Sequence, residues 1–333
     1  MLTFCTLFDR NYLARGLAMH ESLLRVNDTA RLFVFAFDDL TAEILERMDL
    51  PRLIVVRQRE FENAGLLAVK PTRTAAEYCW TATPAIVLHV LERYGADHCT
   101  YIDADLFFFS DPAPLLRELG PSSVLLSPHR YTPRYDLTRL SGRYCVQFNS
   151  FRNTPEGLTA LRWWNERCLE WCYAREEDGK FGDQKYLDDW TVRFPGVHEL
   201  RHLGGGVAPW NVQQYSFSEE GERIRGRERR SGTEFDLVFY HFHYLRFYRS
   251  GRVDLGDYRL DGPVLRVLYR RYLQKLESAV ERLSGLKPGE DWYGRREEPA
   301  GWEGWSTMVK RRLKGQYNVL SASAYRAFTG RER

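Results

Sequence analysis

The sequence predicts an α/β protein whose mixed, mostly parallel sheet is flanked by helices on both faces. Three observations predict it. From Leu2 to Asp103, short apolar runs rich in β-branched and aromatic residues alternate with stretches of helical periodicity. Such alternation makes consecutive strands parallel and lays the connecting helices on the two faces of the sheet. One strand also ends in an acidic pair, and open α/β sheets bind ligands beyond the C-terminal ends of their strands.

The elements follow in order. LTFCTLF (residues 2–8) reads as a buried strand. Asp9 then caps a helix through YLARGLAMHESLLR, with Leu13, Leu17 and Leu24 on one face. RLFVFAF (31–37), a short helix TAEILERM and RLIVVR (52–57) continue the alternation. Residues 73–94 read as a helix in which Pro84 kinks the chain or opens a second half. HCTYID (98–103) is a central strand, and PLLREL, SSVLLS (122–127) and YCVQFNSFRN (144–153) follow as helix, strand and strand. PEGLTALRWWNERCLEWCYA (155–174) is a helix opened by proline, and GDQKYLDDW (182–190) a short helix capped by Asp183. HLGGGVAPWN (202–211) is a glycine-rich loop without the lysine of a phosphate loop. EEGERIRGRERRSG reads as a solvated, mixed-charge connector. EFDLVFYHFHYLRFY (234–248) is a strand running into an aromatic, basic segment, and residues 262–283 form an amphipathic helix with Val264, Leu268, Tyr272 and Leu276 on one face. The expected division is a main domain over 1–255 and a C-terminal helical extension over 256–333, ending in a basic, aromatic tail.

Asp103 and Asp105 are the chemically informative pair. They stand one residue apart in TYIDADLFFFSDP, between apolar runs. Residues i and i+2 of a strand point the same way, so the two carboxylates converge. At close range they repel unless a proton or a cation lies between them. Their oxygens suit a hard divalent ion, Mn²⁺ or Mg²⁺, which commonly keeps positions open for substrate phosphates. His241 and His243 repeat the i, i+2 spacing far down the chain, with Arg246 close behind. A neutral imidazole can complete a carboxylate-rich site, and Arg246 can bind diphosphate oxygens. The bland alternative is a turn in which the aspartates cap backbone amides.

A net charge of +3 over 333 residues does not point to a nucleic-acid partner. Six cysteines without a CxxC pair read as buried, reduced thiols. The opening MLTFCTLFDRNY lacks the basic and apolar regions of a secretion signal, so the expected location is cytoplasmic.

The motifs together resemble the GT-A fold of nucleotide-diphospho-sugar transferases, and within it glycosyltransferase family 8, the retaining family of glycogenin and bacterial lipopolysaccharide galactosyltransferases. The resemblance covers roughly residues 1–250 and rests on FDRNYL, DAD, QFNS, GDQ, APWN and HFHYLRF in that order. It implies a metal-dependent transfer from a nucleotide-diphosphate sugar, with UDP as the default, to a glycan, lipid-linked or protein acceptor, with retention. It implies metal ligation by Asp103, Asp105 and His241. It places Phe8, Asp9 and Tyr12 at the base and ribose, Lys70 or Arg73 as a basic donor contact, and Ala104 beside the donor with Asp103. It places Asn149, Asp183 and Gln184 at the transferred sugar, and Trp210 and Asn211 in the donor site. The late histidine motif is altered: His243 replaces a glycine, Arg246 a lysine, and a Pro-Trp pair is missing. Two rival readings are a sugar-phosphate nucleotidyltransferase, which would release pyrophosphate, and a catalytically silent protein that kept the fold for binding. The tail, with Trp302 and Trp305 before VKRRLKGQY, suits either peripheral contact with an anionic membrane or a helix packed on the domain.

Overall fold

The computed structural model describes residues 1–299 and 301–330. Its main sheet takes β1 (Thr3–Phe8), β2 (Arg31–Ala36), β3 (Leu53–Arg57), β4 (His98–Ile102), β6 (Val124–Pro128), β7 (Tyr144–Arg152) and β8 (Val197–Glu199) in the order β3-β2-β1-β4-β7-β6-β8. The strands run parallel except β7, which is antiparallel to both of its neighbours. The alternation along β1 explains the layers. Phe4 and Phe8 face the helices Leu13–Val26 and Arg270–Leu286, while Cys5 and Leu7 face the helices Ala75–Arg93 and Pro155–Glu170. Every residue of β1 is buried, as a strand covered on both faces must be.

The short strand β5 (Leu106–Phe108) leaves the acidic pair and pairs antiparallel with β12 (Phe239–His241). Beside it, β9 (Tyr215–Glu220), β10 (Arg223–Glu228) and β11 (Glu234–Asp236) form a small antiparallel sheet. This corrects the reading of residues 219–232 as a solvated connector. Tyr215, Phe217, Ile224 and Phe235 point into a core, the charges occupy the outer face, and Gly221 (φ 65°) makes the turn.

Three further expectations are corrected. Asp9 does not cap the first helix; it accepts from the backbone and side-chain amides of Asn11, and Tyr12 takes the N-cap position without a side-chain bond. Pro84 does not open a second helix, since Ala75–Arg93 runs through it from a Thr74–Glu77 capping box. The helix predicted to 174 stops at Glu170, because Trp171 turns extended (φ −153°) and Glu77 accepts from the amide of Ala174. Cys172 is therefore outside the helix that holds Cys168. All six cysteines are free thiols.

The C-terminal residues pack onto the main body. Ala279, Val280 and Leu283 share a core with Leu13 and Leu17. β14 (Val253–Asp254) pairs with β13 (Arg246–Phe247) on one side and β15 (Val319–Leu320) on the other, so the sheet bridges the 255/256 division. In the tail, the helix Gly301–Leu313 turns Arg311 inward to a bidentate pair with Asp254, at 2.6 and 2.7 Å. The side chain of Trp302 lies outside the described residues. Among the described residues, no helix is long and apolar enough to cross a membrane.

Candidate active site

The register of β4 against β7 builds the floor of the site. Tyr101 lies opposite Asn149, and the amide of Asp103 donates to the carbonyl of Gln147 at 3.2 Å. Two-residue periodicity then sets Tyr101 and Asp103 beside Gln147 and Asn149 on one face. The chain turns at Asp103–Asp105 and enters β5, where the amide of Phe242 donates to the carbonyl of Asp105. That pairing delivers His241 to the acidic pair across a long stretch of sequence. Its Nε2 lies 3.1 Å from Asp105 Oδ1 and 3.6 Å from Asp103 Oδ2. One ligand atom from each of the three residues falls within 4.8 Å of the others.

The electrostatics are those of crowded acids. Burial raises Asp103 to about 7, and the charge of Asp105 adds to the rise. Burial pushes Asp105 upward too, but the charge and hydrogen bond of His241 outweigh it and hold Asp105 at about 2. Burial lowers His241, yet the two carboxylates win and raise it. Asp183 is pushed up to about 8 by burial and by the charge of Asp103, which marks it as a near neighbour. Burial and the cationic His241 drive His243 down to about 3. Two hard carboxylates and an imidazole, recessed and converging, are a donor set that fits Mn²⁺ or Mg²⁺.

The expected residues divide by what they touch. Asp183 precedes a 3₁₀ turn over Gln184–Leu187 but makes no capping bond, contrary to the expected cap. The buried Trp164 indole fixes it by donating to its carbonyl at 2.9 Å. Gln184 stands half-buried beside it. Asn149 accepts from the amide of Ser127 and leaves its own side-chain N–H groups without a protein partner. Tyr12 is raised by burial and then by the charge of Asp105, so it borders the site. The rings of Trp210 and His243 pack beside His241, with centroids about 5.5 Å apart. Arg246 covers the ring of Tyr244, itself held at φ 67°.

Others are engaged elsewhere. The ring of Phe8 fills the space beside Gly16, where a Cβ would stand 2.4 Å from it, and its carbonyl accepts from Phe37. Asn211 spends its side chain on the backbone of His129, Gly206 and Ala208, and so shapes the glycine-rich loop. Lys70 is paired with Glu62 at 2.6 Å. Arg73 stacks on Tyr173 and donates to the carbonyl of Leu169. Asp9 turns to Asn11, and Ala104 is buried in the core beside Phe4 and Ile102.

Sequence reasoning missed Tyr101, whose hydroxyl donates to Asp103 Oδ1 at 2.8 Å, and Gln147, whose Oε1 lies 2.9 Å from His241 Nδ1. Both sit two residues from a named site residue in a strand, which was the available signal.

No protein-family model matches this chain. It is 34% identical over 295 residues to the uncharacterized protein YfnF of Bacillus subtilis (strain 168), covering 86% of this chain and 95% of that one. It is 31% identical over 294 residues to the uncharacterized protein YfnD of the same organism, covering 86% and 92%. Among solved structures, the galactosyltransferase LgtC in complex with donor and acceptor sugar analogues aligns with a TM-score of 0.53, covering 83% of this chain and 96% of that one. At 11% identity that likeness is one of fold. The chain belongs to the family of YfnF and YfnD, and its architecture is the GT-A fold of glycosyltransferases.

Proposed function

We propose that the protein is a metal-dependent glycosyltransferase that moves a sugar from a nucleotide-diphosphate sugar, with UDP as the expected nucleotide, to a glycan, lipid-linked or protein acceptor. The observation that carries this reading is the convergence of Asp103, Asp105 and His241 at the C-terminal rim of a GT-A sheet, with Asp183 beside them. Asp103, Asp105 and His241 would hold Mn²⁺ or Mg²⁺, which would stabilise charge on the departing diphosphate. Arg246 would add a guanidinium to the diphosphate, and Tyr12 would flank the nucleotide. Asn149, with unpartnered side-chain N–H groups, and Gln184 would bind hydroxyls of the transferred sugar. Asp183, held largely protonated near neutral pH, can donate a hydrogen bond there or carry a proton. Retention is proposed by likeness to family 8.

The test is a screen of nucleotide sugars for Mn²⁺-dependent hydrolysis, since such transferases can pass the sugar slowly to water. The expected result is release of nucleoside diphosphate from one donor, abolished by EDTA and by Asp105→Ala. Pyrophosphate release from a nucleoside triphosphate and a sugar phosphate would assign a nucleotidyltransferase instead. An inverted anomeric configuration in the product would remove the retaining assignment.

A further inference from the structure

We propose that Gln147 is a positioning residue that fixes His241 in the one tautomer able to face a cation. This inference rests on the metal-dependent reading above. Gln147 is fully buried in β7, and His241 is 4% exposed. Its Oε1 lies 2.9 Å from His241 Nδ1, so Nδ1 carries the proton and donates it. The lone pair of a neutral ring is then on Nε2, the atom that faces Asp105 at 3.1 Å and Asp103 at 3.6 Å. Were the amide turned over, its N–H would donate to Nδ1. The ring proton would then sit on Nε2, between the imidazole and the carboxylates, where a cation has to lie.

Gln147 also ties the two halves of the site together. Its carbonyl accepts the amide of Asp103 while its side chain holds His241, so one residue registers the acidic pair against the late histidine. The space around the amide is narrow. Gly206 stands at φ 90°, and a Cβ there would come within 3.3 Å of Gln147 Nε2. The same Oε1 contact serves whether Nε2 holds a proton toward Asp105 or meets a cation, so the ring need not turn when an ion enters. Ligating histidines commonly donate their second ring N–H to such a partner, and loss of the partner weakens metal binding by about 10–100-fold.

The experiment uses the full chain and Mn²⁺ alone, with free Mn²⁺ read by electron paramagnetic resonance. Gln147→Leu removes the acceptor; Gln147→Glu keeps one. The expected results are about 10–100-fold weaker Mn²⁺ binding by Gln147→Leu and affinity within a few-fold of wild type for Gln147→Glu. Wild-type protein loaded with diamagnetic Mg²⁺ should show His241 as the Nδ1–H tautomer in ¹⁵N-histidine spectra, a readout that needs no variant to fold. An Nε2–H ring in that spectrum, or a folded Gln147→Leu that binds Mn²⁺ like wild type, overturns the role of Gln147. His241→Ala separates the two readings. Weaker binding by that variant beside an unaffected Gln147→Leu removes Gln147 alone, whereas undiminished binding by His241→Ala overturns the metal site and the inference with it.

Discussion

Asp105 and Asp254 are both aspartates in largely buried surroundings, and they live in opposite ones. Asp254 accepts two bonds from Arg311, one from the amide of Gly256 and a longer one from the Tyr248 hydroxyl. Its charge is matched by one fixed cation. Glu277, in the same half of the molecule, accepts from the hydroxyls of Tyr293 and Tyr325. Asp105 instead shares a small volume with Asp103, whose charge also reaches Asp183, and finds one imidazole for the group. A buried acid whose partners are complete holds the chain together. One whose partners fall short keeps the capacity to bind a cation or exchange a proton.

The largest expected effect breaks the poised cluster. Asp105→Ala should abolish Mn²⁺-dependent donor hydrolysis, with a loss of about 10²–10³ in rate, the scale of a removed electrostatic stabiliser. Thermal denaturation without metal should change little, because the substitution also removes a like charge from beside Asp103. A large fall in melting temperature together with unchanged hydrolysis would reverse the contrast between the two regions.

The next tests the satisfied acid. Asp254→Ala leaves the Arg311 guanidinium without its carboxylate, and urea unfolding should show a loss of about 3 kcal/mol, the scale of a broken buried pair. Because that pair anchors the helix Gly301–Leu313, protease sensitivity should rise first in the tail. Mn²⁺ affinity should be unchanged.

How much was legible in the sequence follows the same division. The site's core was legible because strand geometry is local: Asp103 and Asp105 at i, i+2, and a histidine pair with the same spacing, need no knowledge of the fold to be read as convergent. The sheet was legible because its strands are buried on both faces and read as apolar runs. What failed depended on partners far away. The stretch from Glu219 to Gly232 looked solvated because its charges fill one face, while Ile224 packs in a core with Tyr215, Phe217 and Phe235. Asp183 sat where a cap belongs, yet the neighbour that shapes its charge is Asp103, some eighty residues earlier. Gln147 opens the QFNS motif, but that motif pointed to Asn149, and the partner of Gln147, His241, lies 94 residues on.

Asp183 makes the contrast depend on pH. Its carboxyl is raised to about 8 from an ordinary value of 3.8, so between those limits the folded chain holds a proton that the unfolded chain releases. Stability therefore falls as pH rises from about 4 to 8. His241, also raised, adds in the same direction: its contribution is complete below its ordinary value of 6.5 and disappears as pH climbs through the folded value. Asp105, held at about 2, contributes above its ordinary value and loses that contribution only in strong acid. In EDTA, Asp183→Asn should flatten the slope and exceed wild type at pH 8 by roughly 2–4 kcal/mol, with no gain at pH 4. Parallel stability curves for the two proteins would show that Asp183 is not held protonated.

The smallest expected effect lies in the satisfied half. Tyr325→Phe removes one hydroxyl from Glu277 and leaves the bonds from Tyr293. A carboxylate that loses one of several donors loses about 1–2 kcal/mol, because the remaining donors still offset its desolvation. Urea unfolding should register that loss, with Mn²⁺ affinity and the pH slope both untouched. Tyr293→Phe should cost a similar amount, and the double variant should depart from the sum, since the two hydroxyls share one buried carboxylate. If the double variant were simply additive, Glu277 would not be the node through which Arg270–Leu286, Tyr293 and Ala322–Thr329 are joined. The separation of bracing acids from poised ones would then fail at its tidier end.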